Sequence, residues 1–198
     1  MLNRTIPFYN TILRCDKYHS QQIKLPDSYM IVPYRNGLET DWARLECAVG
    51  DFLSAEEAMQ YFLEKYPNRG NDDDILFLLN DEGRVVGSCI VWEDERQGGS
   101  VNSLHWLVVD EQYQGNGLGR ALCCETMNRF HMRDKKAIYI HTQPWSWKAI
   151  LLYVSLGFRL QKTDTFAAYI NQYGDAMKTL KGILSAKQYH LLELASDN

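Results

Sequence analysis

The chain has 198 residues, 45% hydrophobic, 12% aromatic and 23% charged, the proportions of one compact domain able to bury a core. Its 21 basic and 25 acidic side chains sum to −4 with histidines neutral, which excludes a global basic field for holding nucleic acid. The longest apolar run, Ala149 to Val154, falls far short of the roughly 20 residues of a membrane helix, and MLNRTIPFYNTILRCDKY lacks a signal-peptide core, so no membrane partner and a cytoplasmic address are expected.

No repeat or low-complexity tract divides the chain, and its sharpest composition shifts are short polar bridges such as Asn68 to Asp74. A single domain over residues 1–198 is expected, with its core at about 28–171, a weakly patterned extension at 1–27 and a helical tail at 172–198. Ser28 to Arg35 is extended but interrupted by Pro33, which suits an edge strand. Glu39 to Val49 and Ser54 to Tyr66 read as helices, the second opened by the capping-box pair Ser54 and Glu57. Ile75 to Leu79 and Val85 to Trp92, joined by Asn80-Asp81-Glu82-Gly83, read as a hairpin. Val101 to Val109 is a third strand, Leu118 to Phe130 a helix, Ala137 to Thr142 a strand and Ser146 to Leu156 a helix, an alternation that implies parallel pairing there. Phe158 to Lys162 and Phe166 to Asn171 are assigned as two more strands, and Asp175 to Leu194 as a helix weakened by Gly182.

Chemistry concentrates where the third strand ends. Leu107-Val108-Val109 runs through a polar turn into Gln114-Gly115-Asn116-Gly117-Leu118-Gly119-Arg120 at a helix start. A helix start presents unpaired N–H groups, and glycines let a phosphate approach the backbone closely. Each such anion contact contributes about 0.3–2 kcal/mol, so several N–H groups must act together, and a diphosphate has enough acceptors for them. The spacing does not fit G-x-G-x-x-G, whose third glycine would fall on Arg120, nor the nucleotide P-loop G-x-x-x-x-G-K-[ST]. The five cysteines, Cys15, Cys47, Cys89, Cys123 and Cys124, make no CxxC or CxxH pair, so no metal or disulfide frame is indicated, and Cys123 and Cys124 are read as packing residues.

Gln114 to Gly119 matches Q/R-x-x-G-x-G/A, and Ala149-Ile150-Leu151-Leu152-Tyr153-Val154-Ser155-Leu156-Gly157-Phe158 matches A-x-x-L-Y-x-x-L-G-F about thirty residues later. In both motifs the chain resembles the GNAT superfamily of acetyl-CoA-dependent N-acetyltransferases, over roughly Ser28 to Asn171. The resemblance implies an α/β (α+β) fold with a mixed, mostly antiparallel sheet flanked by helices. That sheet would be splayed at an acetyl-CoA cleft between the Val101 and Ala137 strands. It implies that Leu107, Val108 and Val109 bind the pantetheine arm through their main chain, as an added strand would. It further implies that the N–H groups from Gln114, Gly115, Asn116, Gly117, Leu118, Gly119 and Arg120 hold the pyrophosphate. Tyr153 would protonate the leaving thiolate, a task a phenol can perform.

An alkylammonium of pKa about 10.4 needs roughly 4.6 kcal/mol to be neutral at pH 7, so a general base is useful. His105, His141, Glu93 and Asp94 are candidates, and His141 comes first because relatives similar to this chain carry a catalytic glutamate at its position. A satisfied strand histidine is the competing reading of both histidines. Ser146 stands where the family often has a CoA-contacting asparagine, and it also reads as a helix N-cap. Arg129, Arg133, Lys135 and Lys136 suit either the 3′-phosphate of CoA or a solvated helix end. Trp92, Trp106, Trp145 and Trp147 are candidates to line the acceptor pocket. The expected reaction is acetyl transfer from acetyl-CoA to a primary amine in a ternary complex, with no metal and no nucleic acid, and the family admits a homodimer. The alternatives are a non-catalytic acyl-CoA-binding sensor and a transferase of a longer acyl group.

Overall fold

The computed structural model describes residues 3, 5–66, 72–96, 98–134 and 136–197. In chain order these form β1 (Thr11–Cys15), β2 (Tyr29–Pro33), α1 (Leu38–Val49), α2 (Ala55–Lys65), β3 (Ile75–Asn80), β4 (Val85–Arg96) and β5 (Gly99–Val109), then α3 (Leu118–Arg133), β6 (Ile138–Thr142), α4 (Trp147–Ser155), β7 (Arg159–Leu160), α5 (Tyr173–Ile183) and α6 (Ala186–Leu194). The strands form one seven-stranded sheet in the order β2-β3-β4-β5-β6-β1-β7. The β2–β3, β3–β4, β1–β6 and β1–β7 pairs are antiparallel; β5 and β6 pair in parallel, Asn102 against Ile138 and Ser103 against Tyr139. This is the mixed, mostly antiparallel sheet flanked by helices that the family resemblance implies, with its parallel pair where strand, helix and strand alternate.

Two compact units share the chain: His19–Trp92 with Leu104–Arg133, and the residues up to Tyr18 with Glu93–Ser103 and those from Asp134 onward. In the first, strand alternation assigns each face of β4 to different helices. Ile90, with Phe77 and Ile75 on β3, packs into a core with Trp42 and Leu45 of α1 and Ala58 and Phe62 of α2. Gly87 lies on the other face, where an added Cβ would meet the Leu122 side chain of α3 at 3.2 Å. α3 is buried around most of its circumference, with Leu118 and Met127 on opposite sides and Leu122 and Phe130 between them. Ser54 caps α2 by accepting from the Glu57 N–H at 3.1 Å, while the Glu57 carboxylate turns to the Leu53 N–H at 3.3 Å rather than closing the box on Ser54.

The second unit departs most from the sequence reading. Five residues of the weakly patterned extension form β1, wedged between β6 and β7, with Ile12 and Leu13 fully buried. Phe166 to Asn171 is not a strand: Ala167 sits at φ 48, while Phe166 and Tyr169 turn inward onto Tyr139 and His141. The strand assigned to Phe158–Lys162 shrinks to Arg159–Leu160. The tail helix is broken at Leu184, and Ser185 with Gln188 starts α6 by a complete capping box. Of the polar bridge Asn68 to Asp74, positions 68–71 lie outside the described residues and Asp72–Asp74 is a short 3₁₀ helix. Among the described residues no helix is long and apolar enough to cross a membrane.

Asp164 ties this unit together. It accepts from Arg14 at 2.6 Å, from Tyr139 Oη at 2.9 Å and from the Thr165 N–H at 2.9 Å, and it also pairs with Arg96. Burial alone would raise its pKa, but the hydrogen bonds from Tyr139 and Arg14 and the charge of Arg96 outweigh this and hold the carboxyl below its ordinary value. A depressed carboxylate stabilises the fold above its unfolded pKa of about 3.9, and that contribution disappears as pH falls through the folded value. Asp164→Asn is expected to cost about 1–3 kcal/mol at pH 7 and to flatten the acid limb of stability below about pH 4, measured by denaturant unfolding from pH 3 to 7.

Candidate active site

The glycine loop is built by a relay of short-range bonds at the end of β5. Asp110 donates its N–H to the Val86 carbonyl at 2.8 Å, and its carboxylate accepts from the Gln112 N–H at 3.1 Å, starting a short 3₁₀ turn over Glu111–Tyr113. Gln114 turns back to donate through Nε2 to the Val109 carbonyl at 2.9 Å, and Asn116 Nδ2 donates to the Tyr113 carbonyl at 3.2 Å. Gly115 and Gly117 take φ values of 85 and 78, the left-handed region that a side chain strains, and nothing lies within 4 Å of where a Cβ would stand. The first helical bond beyond them runs from the Ala121 N–H to the Gly117 carbonyl at 3.0 Å, and no acidic residue stands in the first turn of α3. Gln114, Gly115, Asn116 and Gly117 are exposed, as is Arg120, while Leu118 is buried and anchors the turn. The loop is thus an internally hydrogen-bonded, accessible turn at the positive end of a long helix, suited to a diphosphate.

Leu107, Val108 and Val109 lie in β5 directly ahead of it, Val108 and Val109 buried and Leu107 half-buried. Trp106 before them has φ 49, a strained value for an aromatic residue, costing on the order of 1–3 kcal/mol. Gly87, which the sequence reading passed over, sits under this stretch: an added Cβ would be 2.8 Å from the Val108 carbonyl oxygen. Trp106 packs on Trp42, Phe52 and Tyr61 at centroid distances of 5.4 to 5.6 Å. His105 lies 3.4 Å through Nδ1 from Tyr66 Oη, and Trp92 tilts against its ring at 5.9 Å.

Tyr153, His141 and Ser146 belong to the second unit. The end of α4 explains the A-x-x-L-Y-x-x-L-G-F motif physically. Phe158 donates its N–H to the Tyr153 carbonyl at 3.1 Å and Gly157 to that of Val154 at 3.1 Å, a Schellman closure with Gly157 at φ 98. The Tyr153 and Phe158 rings meet at 5.9 Å, the apolar contact such a closure favours. Tyr153 is 5% exposed, so its aromatic body is fixed before any ligand arrives.

His141 stacks on Tyr169 at 3.8 Å and 14°, and its Nε2 is 2.8 Å from Asn10 Oδ1. With the amide oxygen as acceptor, Nε2 carries the proton. Asn10 is held in turn, its N–H donating to Gln172 Oε1 at 3.0 Å. Neither Asn10 nor Tyr169 was legible as a partner, since 131 and 28 positions separate them from His141 in the chain. Ser146 stands at the N-cap of α4 but makes no capping bond; its hydroxyl accepts from Gln143 Nε2 at 3.1 Å instead. Asp94 borders a surface depression with Arg96 and Ala167, and Glu93 is exposed.

The basic cluster is engaged internally. Arg129 pairs with Glu125 at 2.8 Å and donates to the Asp73 carbonyl, Arg133 pairs with Asp74, and Lys136 pairs with Asp134 at 3.2 Å. Lys135 lies outside the described residues. Burial raises the Cys89 thiol to about 12 and Cys123 well above its ordinary value, so both stay protonated and pack.

Residues 72–160 match the acetyltransferase (GNAT) domain. That segment is a GNAT domain. The chain is 30% identical over 159 residues to the mycothiol acetyltransferase of Acidothermus cellulolyticus, covering 72% of this chain and 48% of that protein. It therefore spans about half the length of that relative. Among solved structures, a GNAT acetyltransferase from Colwellia psychrerythraea superposes with a TM-score of 0.61 at 9% identity, over 78% of this chain and 53% of that one. A GCN5-related N-acetyltransferase from Sphaerobacter thermophilus gives 0.60 at 18% identity, over 77% and 48%. These two likenesses bear on the fold.

Proposed function

We propose that the chain is an N-acetyltransferase that moves the acetyl group of acetyl-CoA to a primary amine by direct attack. The observation that carries this is the exposed Gln114–Gly117 turn, with two glycines in the left-handed region ahead of a sixteen-residue helix. It fits a pyrophosphate because the turn is exposed and nothing lies within 4 Å of where a Cβ at Gly115 or Gly117 would stand. Acetyl-CoA supplies the thioester carbonyl. Leu107, Val108 and Val109 would align its arm through their main chain, Val108 N–H would stabilise the developing oxyanion, and Tyr153 would give its proton to the departing sulfur. His141, its ring orientation set by Asn10 and Tyr169, is the first candidate to accept the amine's proton, with His105 the second. The name of the relatives makes a mycothiol-type amine one member of the acceptor panel.

The test is thiol release from acetyl-CoA against a panel of primary amines, beside calorimetric binding of CoA. Amine-dependent release is expected. CoA binding without release from any amine would replace the enzyme by an acyl-CoA sensor, and octanoyl-CoA binding far more tightly than acetyl-CoA would replace the acetyl group.

A further inference from the structure

The core beneath α1 and α2 holds three polar atoms that an apolar core has no use for. Glu46 is 1% exposed, and its Oε1 has no hydrogen-bond partner; the same is true of Trp42 Nε1 and Ser88 Oγ. Trp42 and Glu46 are one helical turn apart on α1, and so share a face. Ser88 shares a face of β4 with Ile90 and stands opposite Phe77, both members of the core that Trp42 joins. One acidic group, one N–H donor and one hydroxyl thus gather in a single apolar cluster, where each unmet group is costly.

Aromatic rings surround Trp42. Trp42 stacks on Tyr61 at 6.3 Å and 9° and meets Phe52 and Trp106 edge-on at 5.7 and 5.4 Å, and these last three rings are only partly buried. The cluster already attracts an ammonium: Lys65 Nζ lies 5.7 Å from the Tyr61 ring centre and 5.9 Å from that of Trp92. Burial, and then the charge of Asp51, push the Glu46 carboxyl well above its usual range. A cation brought beside it would supply the partner its ionised form lacks.

We propose that Glu46, inside the Trp42–Tyr61–Trp106 aromatic cluster, is the specificity residue that selects an acceptor carrying a primary ammonium on a ring-shaped or apolar body. Trp42 Nε1 and Ser88 Oγ then serve polar groups of the same body. This rests on the acetyltransferase reading above, and it narrows the acceptor from any amine to one recognised as a cation.

The experiment titrates the full chain at pH 7.5 with 2-phenylethylamine and its neutral isostere 2-phenylethanol, read by tryptophan fluorescence and calorimetry. The amine is expected to bind at least tenfold more tightly. Glu46→Gln should bring the two probes within twofold of each other while leaving the CoA dissociation constant unchanged, which also shows that the variant is folded. Tyr61→Leu, at the partly open rim, should weaken the amine severalfold, and Lys65→Met, by removing the resident ammonium, should strengthen it two- to fivefold. Equal binding of the two probes, or a preference that survives Glu46→Gln in a CoA-competent protein, overturns the inference. Loss of CoA binding by the unmodified chain would instead overturn the acetyltransferase reading.

Discussion

Tyr153→Phe is expected to lower kcat by about 10²–10³ with the dissociation constant of CoA within twofold of the parent protein. The size follows from what the phenol is asked to do. A thiolate leaving without a proton donor keeps its charge in a partly desolvated site, and general acid catalysis of such a step contributes about 10²–10⁴. Little else changes, because the backbone of residue 153 is fixed by the Phe158 and Gly157 bonds at the end of α4, and phenylalanine keeps the ring that packs on Phe158. Stability should fall by no more than about 1 kcal/mol, the usual contribution of one hydrogen bond. A rate within threefold of the parent would assign Tyr153 to packing and leave the thiolate to be protonated by water.

What the sequence disclosed and what it hid divide along a physical line. The glycine loop and the end of α4 were legible because each is closed by bonds within six residues, and because glycine at 115, 117 and 157 marks backbone angles that other residues strain. The hairpin followed from apolar runs of the right length, and the parallel β5–β6 pair from the alternation of strand, helix and strand. β1 was not legible, since five residues with Arg14 among them show little alternation, and two of the carboxylates that meet Arg14, Asp164 and Asp197, come from 150 or more positions away, with only Asp16 nearby. Phe166–Asn171 misled for the opposite reason: aromatic composition fits a strand as well as it fits a loop folded onto Tyr139 and His141. Glu46 reads in sequence as one more glutamate on a surface helix. Only the packing of α1 against the sheet shows that its carboxyl is enclosed.

Gly87→Ala is the second large effect expected, and it separates close approach from chain flexibility. Gly87 has ordinary strand angles, so the argument is one of space: the new Cβ would lie 2.8 Å from the Val108 carbonyl oxygen, with Leu122 and Val109 side chains at 3.2 and 3.4 Å. The first of these is backbone and cannot rotate away, so β4 and β5 must move apart, at a cost of about 1–3 kcal/mol by analogy with overpacked cores. A fall in Tm of about 2–10 °C is expected for a chain of this size. The displaced residue is one of the three proposed to bind pantetheine, so the affinity for CoA should fall by at least tenfold although residue 87 touches no ligand. Gly182→Ala supplies the contrast, since it lies inside α5 with nothing within 4 Å of the added methyl. It should raise stability by about 0.5–1 kcal/mol, because alanine loses less backbone freedom in a helix, and it should leave CoA affinity alone. If Gly87→Ala unfolds the protein no earlier than the parent and binds CoA equally well, the β4–β5 contact yields more easily than its backbone geometry implies. Val108 would then not be the register point for the thioester.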